Sequence, residues 1–404
     1  MAMTMDDLLR YLVQKGGSDL HLLAGLRPAI RLHGKLTSVE GTEPCTPEYL
    51  QQITYAVLTP SQIKSYEEDP QTRNELDFAY GIPGVGRFRF NVHRQRGTTG
   101  VVARALSTKI PAIESLNLPP AVLDLASKGR GLSLVTGPTG SGKSTTLAAL
   151  IDWVNANKSE HIITIEDPIE YVHNSKKSYV MQREVGPAGD TLSFRNALKY
   201  ALRQDPDVIL VGELRDYETI GIAITSAETG HLVFGTLHTS SAAQTVGRII
   251  DVFPTDQQPQ VITQLSANLI GILAQILLPR ADGSGRIAAA ELMKNNSAIK
   301  NQIRTNSIDG IYQSIQTGGK EGMMTMDQSL IKLVSAGTVT YEAAEPFIRD
   351  ETSRRQIEAY KGKAPAPGPA PQPEPAPAPT PPPKQEAPSR MGGVMGAIPP
   401  WEKR

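Results

Sequence analysis

The chain has 404 residues, 39% of them hydrophobic and 20% charged, with 41 Lys and Arg against 41 Asp and Glu and one cysteine, Cys45. That length allows two domains and a tail. Zero net charge excludes a global pull toward nucleic acid or acidic lipid, and a single cysteine excludes an internal disulfide and a tetracysteine zinc site.

Residues 1–110 read as a mixed α/β unit. Met5–Gln14 has helical spacing, and Asp19–Leu23, Ala29–Leu32 and Lys35–Val39 read as strands broken by Gly and Pro. Pro47–Leu58 and Pro60–Glu68 are expected to be helices. Glu75–Tyr80, Gly86–His93 and Gly100–Leu106 are expected to be antiparallel strands turned at Pro83-Gly84 and Gly97. Pro111–Pro120 reads as a hinge.

From 121 to 295 strands and helices alternate. The expected strands are Leu132–Val135, Ile162–Ile165, Val208–Val211, Leu232–Thr236 and Ile287–Leu292. The expected helices are Ser144–Val154, Leu192–Arg203, Tyr217–Ala227, Ala242–Ile250 and Gln257–Ile272. Such alternation implies a parallel sheet with helices on both faces. The longest apolar run, Leu265–Leu278, is too short to span a bilayer and contains Ser266, Asn268 and Gln275. Met1–Arg10 holds Asp6 and Asp7 and no hydrophobic signal region, so membrane contact is expected to be peripheral, through a partner. Residues 296–360 read as a helical extension.

Beyond Lys363 the chain is mostly Pro and Ala, as an extended, disordered spacer would be. It ends near Ile398-Pro-Pro-Trp401, which reads either as a docking motif or as the end of an unpartnered tail.

Four motifs carry chemistry. Gly137-Pro138-Thr139-Gly140-Ser141-Gly142-Lys143-Ser144, followed by Thr145, has the spacing of a phosphate-binding loop between a strand and a helix. Its glycines let backbone N–H groups face phosphate oxygens, and the helix N-terminus adds roughly half a positive charge. Lys143 is expected to reach the β- and γ-phosphates and Ser144 to ligate Mg²⁺, so a nucleoside triphosphate and Mg²⁺ are expected here. Thr164-Ile-Glu166-Asp-Pro168-Ile-Glu170 follows a strand, where a carboxylate can serve as general base toward water. Asp205-Pro-Asp-Val-Ile-Leu-Val-Gly212-Glu213 is an apolar strand ending in an acid, the Walker B pattern, with Glu213 carrying the acidic role. Gly230-His231 through Thr236-Leu-His238-Thr239 flanks a strand with two histidines, of which the one at its exit could sense a γ-phosphate.

In this order, the motifs resemble those of the secretion ATPase superfamily, and most closely the PilT-type retraction ATPases of type IV pili, over about residues 5–350. The resemblance names the four segments Walker A, Asp box, Walker B and His box. It implies an α/β fold: a PAS-like α+β domain (1–110), a hinge (111–120), a RecA-like P-loop ATPase domain (121–295), a helical extension (296–360) and the tail (361–404). It implies ATP as the nucleotide, and a homo-hexamer that hydrolyses it on the cytoplasmic face of the inner membrane. The implied partners are a PilC-like platform protein and a paralogous retraction ATPase, with no direct nucleic acid. By the same analogy Glu166 is the first choice for general base, on a strand expected between those of the P-loop and Walker B. Glu213 is the Mg²⁺-side carboxylate, and the two could exchange roles; the analogy extends a γ-phosphate or water-sensing role to both His231 and His238. Arg89 and Arg104, in Gly86-Arg-Phe-Arg-Phe and the strand after it, match the family's phosphate-contacting arginines, with Arg87, Arg94 and Arg96 close by.

The resemblance also bears on the branch. Assembly and secretion members carry an extra N-terminal region and usually a tetracysteine module, which favours retraction for this chain. Retraction members carry A-I-R-N-L-I-R-E near the C-terminus, where this chain has Ala298-Ile-Lys300-Asn-Gln302-Ile-Arg304-Thr305. Lys keeps the charge but loses the planar fork of Arg. That departure leaves an accessory PilU-like member or an assembly ATPase as alternatives. A RecA-like nucleic-acid translocase is the alternative of a different class.

Overall fold

The computed structural model describes residues 3–32, 34–69, 73–106, 109–186 and 189–362; the Pro/Ala-rich tail and Ile398–Trp401 lie outside them.

The first sheet is antiparallel and built from short elements with explicit stops. Helix α1 (Met5–Gln14) starts at a capping box between Thr4 and Asp7 and buries Met5, Leu8, Leu9 and Leu12. Strands β1 (Asp19–Leu22), β2 (Ala29–Leu32) and β3 (Lys35–Ser38) follow. Helices α2 (Pro47–Tyr55) and α3 (Pro60–Glu68) each begin with Pro behind a threonine cap. Strands β4 (Glu75–Ile82), β5 (Gly86–Gln95) and β6 (Thr98–Ala105) complete the order β3-β2-β1-β6-β5-β4. On β5 the alternation is plain: Phe88, Phe90 and Val92 are fully buried in the same apolar cluster as the α1 leucines, while Arg89 between them is exposed.

Two 3₁₀ turns and the short α4 (Asp124–Ser127) lead into the second sheet. Its elements are β7 (Gly131–Thr136), α5 (Lys143–Asn157), β8 (His161–Glu166), β9 (Tyr179–Glu184), α6 (Phe194–Ala201) and β10 (Val208–Val211). Then come α7 (Tyr217–Glu228), β11 (Leu232–Leu237), α8 (Ala242–Asp251), α9 (Gln258–Asn268), β12 (Leu269–Pro279) and β13 (Arg286–Lys294). The strand order is β13-β12-β7-β11-β10-β8-β9. Alternate residues feed opposite faces. Ile163, Ile165, Ile209 and Val211 join the cluster under α6–α9, and Ile162, Val208 and Leu210 join that under α5.

Four expectations are corrected. The helix expected over Gln257–Ile272 ends at Asn268, and Leu269–Pro279 is a strand buried on both faces. A continuous apolar run has no period to separate helix from strand, and Ile270, Ile272 and Ile276 favour the strand. The sheet is not wholly parallel, because β13 pairs antiparallel with β12. Strand β9, polar and at the edge, was not expected. Finally, the strand between the P-loop strand β7 and the Walker B strand β10 is β11, not β8; β8 lies beyond β10.

The C-terminal helices α10 (Ser297–Arg304), α11 (Ile311–Thr317), α12 (Met326–Ser335), α13 (Tyr341–Ala344) and α14 (Glu351–Glu358) pack back on the second sheet. Met326, Leu330 and Ile357 share one cluster with Ile276 and Leu278 of β12 and Ile287 of β13. No helix among the described residues is long and apolar enough to cross a membrane.

Candidate nucleotide site

Strands β7, β11, β10 and β8 run parallel, so their carboxyl ends meet at one edge of the sheet. Gly137–Gly142 leaves β7 there and turns into α5. Gly137 has φ +145°, and a Cβ on it would fall onto the carbonyl oxygen of Gln275. Gly142 caps the helix at φ +90°. The Lys143 ammonium donates to the carbonyls of Gly137 at 2.8 Å and Pro138 at 3.1 Å. Burial pulls its pKa down, and the negative charges of Glu213 and Glu170 oppose that pull. Gln275 on β12 braces the loop from behind: its amide donates to the Ser141 carbonyl at 2.7 Å and accepts from the Thr146 hydroxyl at 2.9 Å. The Thr145 hydroxyl lies 2.9 Å from that of Tyr171.

One cavity joins Ser144, Glu166, Glu170, His173 and Glu213. Glu166 ends β8, and its carboxylate accepts from the Thr164 hydroxyl at 2.6 Å and the Gln182 amide at 3.2 Å. Burial raises its pKa, and those two hydrogen bonds and the nearby Glu170 modify the shift. Glu213 behaves oppositely. The Arg215 guanidinium donates to it at 2.7 Å and holds its pKa below the ordinary carboxylate range, against a smaller opposing effect of burial. His238 Nε2 lies 3.1 Å from the other Glu213 oxygen. Gly212 lets the strand exit pack closely on β8: a Cβ at 212 would come within 3.1 Å of the Ile165 carbonyl and 3.3 Å of Glu166 Cα. The two carboxylates thus have their pKa values pushed apart by environment, Glu166 upward and Glu213 downward.

The other expected residues lie elsewhere. His231 precedes β11 and bonds the Ser226 carbonyl at 2.9 Å through Nδ1. It sits at the opposite end of that six-residue strand from His238, about 23 Å away at about 3.3 Å per residue, so within one subunit it lies far from the cavity. Arg89 and Arg104 are cross-strand partners on β5 and β6, in one row with Asp19 and Arg31. Arg104 Nε donates to the buried Asp19 carboxylate at 2.8 Å, and neither arginine lines the cavity. The structure therefore brings together Ser144, Glu166, Glu213 and His238 but not His231, Arg89 or Arg104. Gln182 and Tyr171 escaped the sequence reading; Gln275, a lone amide in an apolar run, left a signal there, and Thr164 stood in the Asp-box motif without a role.

A family model described as "Type II/IV secretion system protein" matches residues 112–358, more than half of the chain. The chain belongs to that family. It is 47% identical over 342 residues to the type IV pilus retraction ATPase PilT of Pseudomonas aeruginosa, covering 85% of this chain and 97% of the relative. It is 43% identical to the type IV pilus ATPase PilU of the same organism, covering 85% and 88%. The crystal structure of the pilus retraction motor PilT with bound ADP superposes with a TM-score of 0.79 at 46% identity, covering 87% of this chain and 98% of that one.

Proposed function

We infer that this chain is an ATP-hydrolysing motor that drives type IV pilus retraction. One observation carries the reading: a cavity joining Ser144, Glu166 and Glu213 lies in a chain that aligns with 97% of a retraction ATPase. The loop amides and Lys143 hold the triphosphate. Glu166, raised by burial, accepts the proton of the water that attacks the γ-phosphorus, and ADP leaves. Ser144 and Glu213 offer the hard oxygens that suit Mg²⁺, which binds with few protein ligands beside phosphate and water. When bound, it neutralises charge on the β- and γ-phosphates.

The wider assignments rest on the same relatives. They are a homo-hexameric ring, work on a PilC-like platform protein, a paralogous retraction ATPase as partner and a place at the cytoplasmic face of the inner membrane. The reach of Arg89 and Arg104 toward a γ-phosphate is assigned to a neighbouring subunit. Division at 1–110, 111–120, 121–295 and 296–360 is supported by separate apolar clusters around the two sheets.

A second reading, an accessory PilU-like ATPase, is favoured by the altered α10. There Gln302 turns inward to accept from the Ser314 hydroxyl at 3.1 Å, while Arg304 bonds Asn301 at the surface. Deleting the protein and counting surface pili separates the outcomes. Excess non-retracting pili support retraction, bald cells support assembly, and unchanged piliation with weaker pulling supports the accessory role.

A further inference from the structure

Strand β9 pairs with β8 at the edge of the second sheet, with Gln182 opposite Thr164 and Glu184 opposite Glu166. Residues two apart on a strand share a face, so Gln182 and Glu184 work side by side. Gln182 binds the carboxylate of Glu166, the carbonyl of Tyr171 at 2.8 Å and the amide of His173 at 2.8 Å. Glu184 accepts from the amide of Ile169 at 3.3 Å with the same oxygen that takes Nη2 of Arg87 at 3.1 Å. The Asp-box loop, residues 167–173, is thus pinned by two side chains of β9, and one of those side chains is gripped from the other sheet.

Arg87 is firmly mounted. It pairs with Gly81 on β4, and its carbonyl accepts from the Leu106 amide at 2.9 Å. Glu184 is 8% exposed, so its charge has little water to fall back on. Its backbone is fixed too, by three hydrogen bonds with Asp190 and Thr191. Arg87, by contrast, holds on through one Nη2, and its buried Nε has no partner. A single charge-assisted bond can open and close, where a bidentate fork would weld the two sheets together.

We propose that Arg87 and Glu184 form a latch through which the N-terminal sheet sets the position of the loop behind Glu166. Both are positioning residues; neither touches the nucleotide. Closed, the latch holds the Ile169 amide and keeps Glu166 aimed into the cavity. Open, it frees the loop and slows proton abstraction. This rests on the reading of Glu166 as general base.

The test uses the full-length chain and the variants Arg87→Gln, Glu184→Gln and the exchange Arg87→Glu with Glu184→Arg. Steady-state ATPase, binding of a fluorescent ATP analogue and hydrogen exchange of the peptide containing Ile169 are measured. Arg87→Gln should lower kcat about tenfold, inside the about 5–150-fold range of ordinary intersite coupling. ATP affinity should stay within about twofold, exchange at Ile169 should quicken, and the charge exchange should restore part of kcat. Unchanged kcat and exchange in Arg87→Gln would overturn the latch. So would parallel loss of affinity, kcat and thermal stability with no recovery in the exchange variant. If Glu184→Gln fails to fold, Arg87→Gln carries the test alone, since the Arg87 side chain is 33% exposed. Glu166→Gln is run alongside. If it still turns over ATP, the base assignment fails, while exchange at Ile169 still reports whether the latch controls the loop.

Discussion

His238 Nε2 stands 3.1 Å from one oxygen of Glu213, while Arg215 holds the other at 2.7 Å. The carboxylate is thus clamped from both sides at the exit of β10, and the exit of β11 supplies one of the clamps. His238→Ala should lower kcat by about 10²-fold, the scale for one preorganised polar group where charge develops. If the pair acts as a unit, adding Glu213→Gln should cost little more than the worse single variant. Steady-state ATPase of the singles and the double checks this; losses that multiply would mean independent roles.

Glu166 predicts the acid limb of the pH–rate profile. Because burial raises its pKa, it is protonated, and useless as a base, at a higher pH than an ordinary carboxyl. Activity should therefore fall as pH drops through a value above the usual 4.5. Glu213, shifted down by Arg215, stays ionised throughout that range. Glu166→Gln should bind ATP and hydrolyse it at least about 10²-fold more slowly. A profile whose acid limb lies at 4 or below would assign the limb to another group.

How far these residues could be read from the sequence depends on whether their placement is local. The P-loop was legible because its Gly and Lys spacing dictates the backbone. Strands β8, β10 and β11 were legible as short apolar runs between polar stops. Strand order was not, since parallel neighbours are joined by crossovers that no local pattern encodes; β8 lies beyond β10 and not between it and β7. The separation of His231 from the cavity within one subunit is legible too. A residue before a parallel strand lies at the opposite edge from one after it, and His231 precedes the strand that His238 follows. Gln182 was beyond reach, because an edge-strand amide has no spacing rule that names its partner.

Lys143 is the simplest test of the loop. Its ammonium already sits on the Gly137 and Pro138 carbonyls, at the mouth of the turn that would cradle phosphates. Lys143→Ala should abolish ATP binding without lowering thermal stability by more than a few degrees. Isothermal titration with ATP and Mg²⁺ measures this, and retained tight binding would contradict the assignment.

Gln275 links nucleotide binding to stability. It is 2% exposed, and its amide satisfies both the Ser141 carbonyl and the Thr146 hydroxyl. Gln275→Leu keeps the volume but leaves both groups unpaired, at about 1–3 kcal/mol each. Urea unfolding should show a loss of about 2–6 kcal/mol, and ATP affinity should weaken as the loop loses its brace. A stable variant with normal affinity would show that the loop holds its shape unaided.

His173 gives a stability prediction with a definite sign. Burial pushes its pKa from 6.5 down to about 4, opposed by Asp152 and reinforced by Lys176. Above pH 6.5 it is neutral in folded and unfolded chains alike, and its shift costs nothing. As pH falls below 6.5 the unfolded chain takes up a proton that the folded chain refuses until about 4. Stability is therefore lost across that window, by about 3 kcal/mol at most. The buried carboxyl of Glu291, whose pKa burial raises, works in the opposite sense, because its folded form takes up a proton first as pH falls. The difference between wild type and His173→Gln isolates the histidine. Urea midpoints at pH 7 and pH 5 should converge for the variant more than for wild type; equal pH dependence in the two would show that His173 takes up its proton in the folded chain without strain.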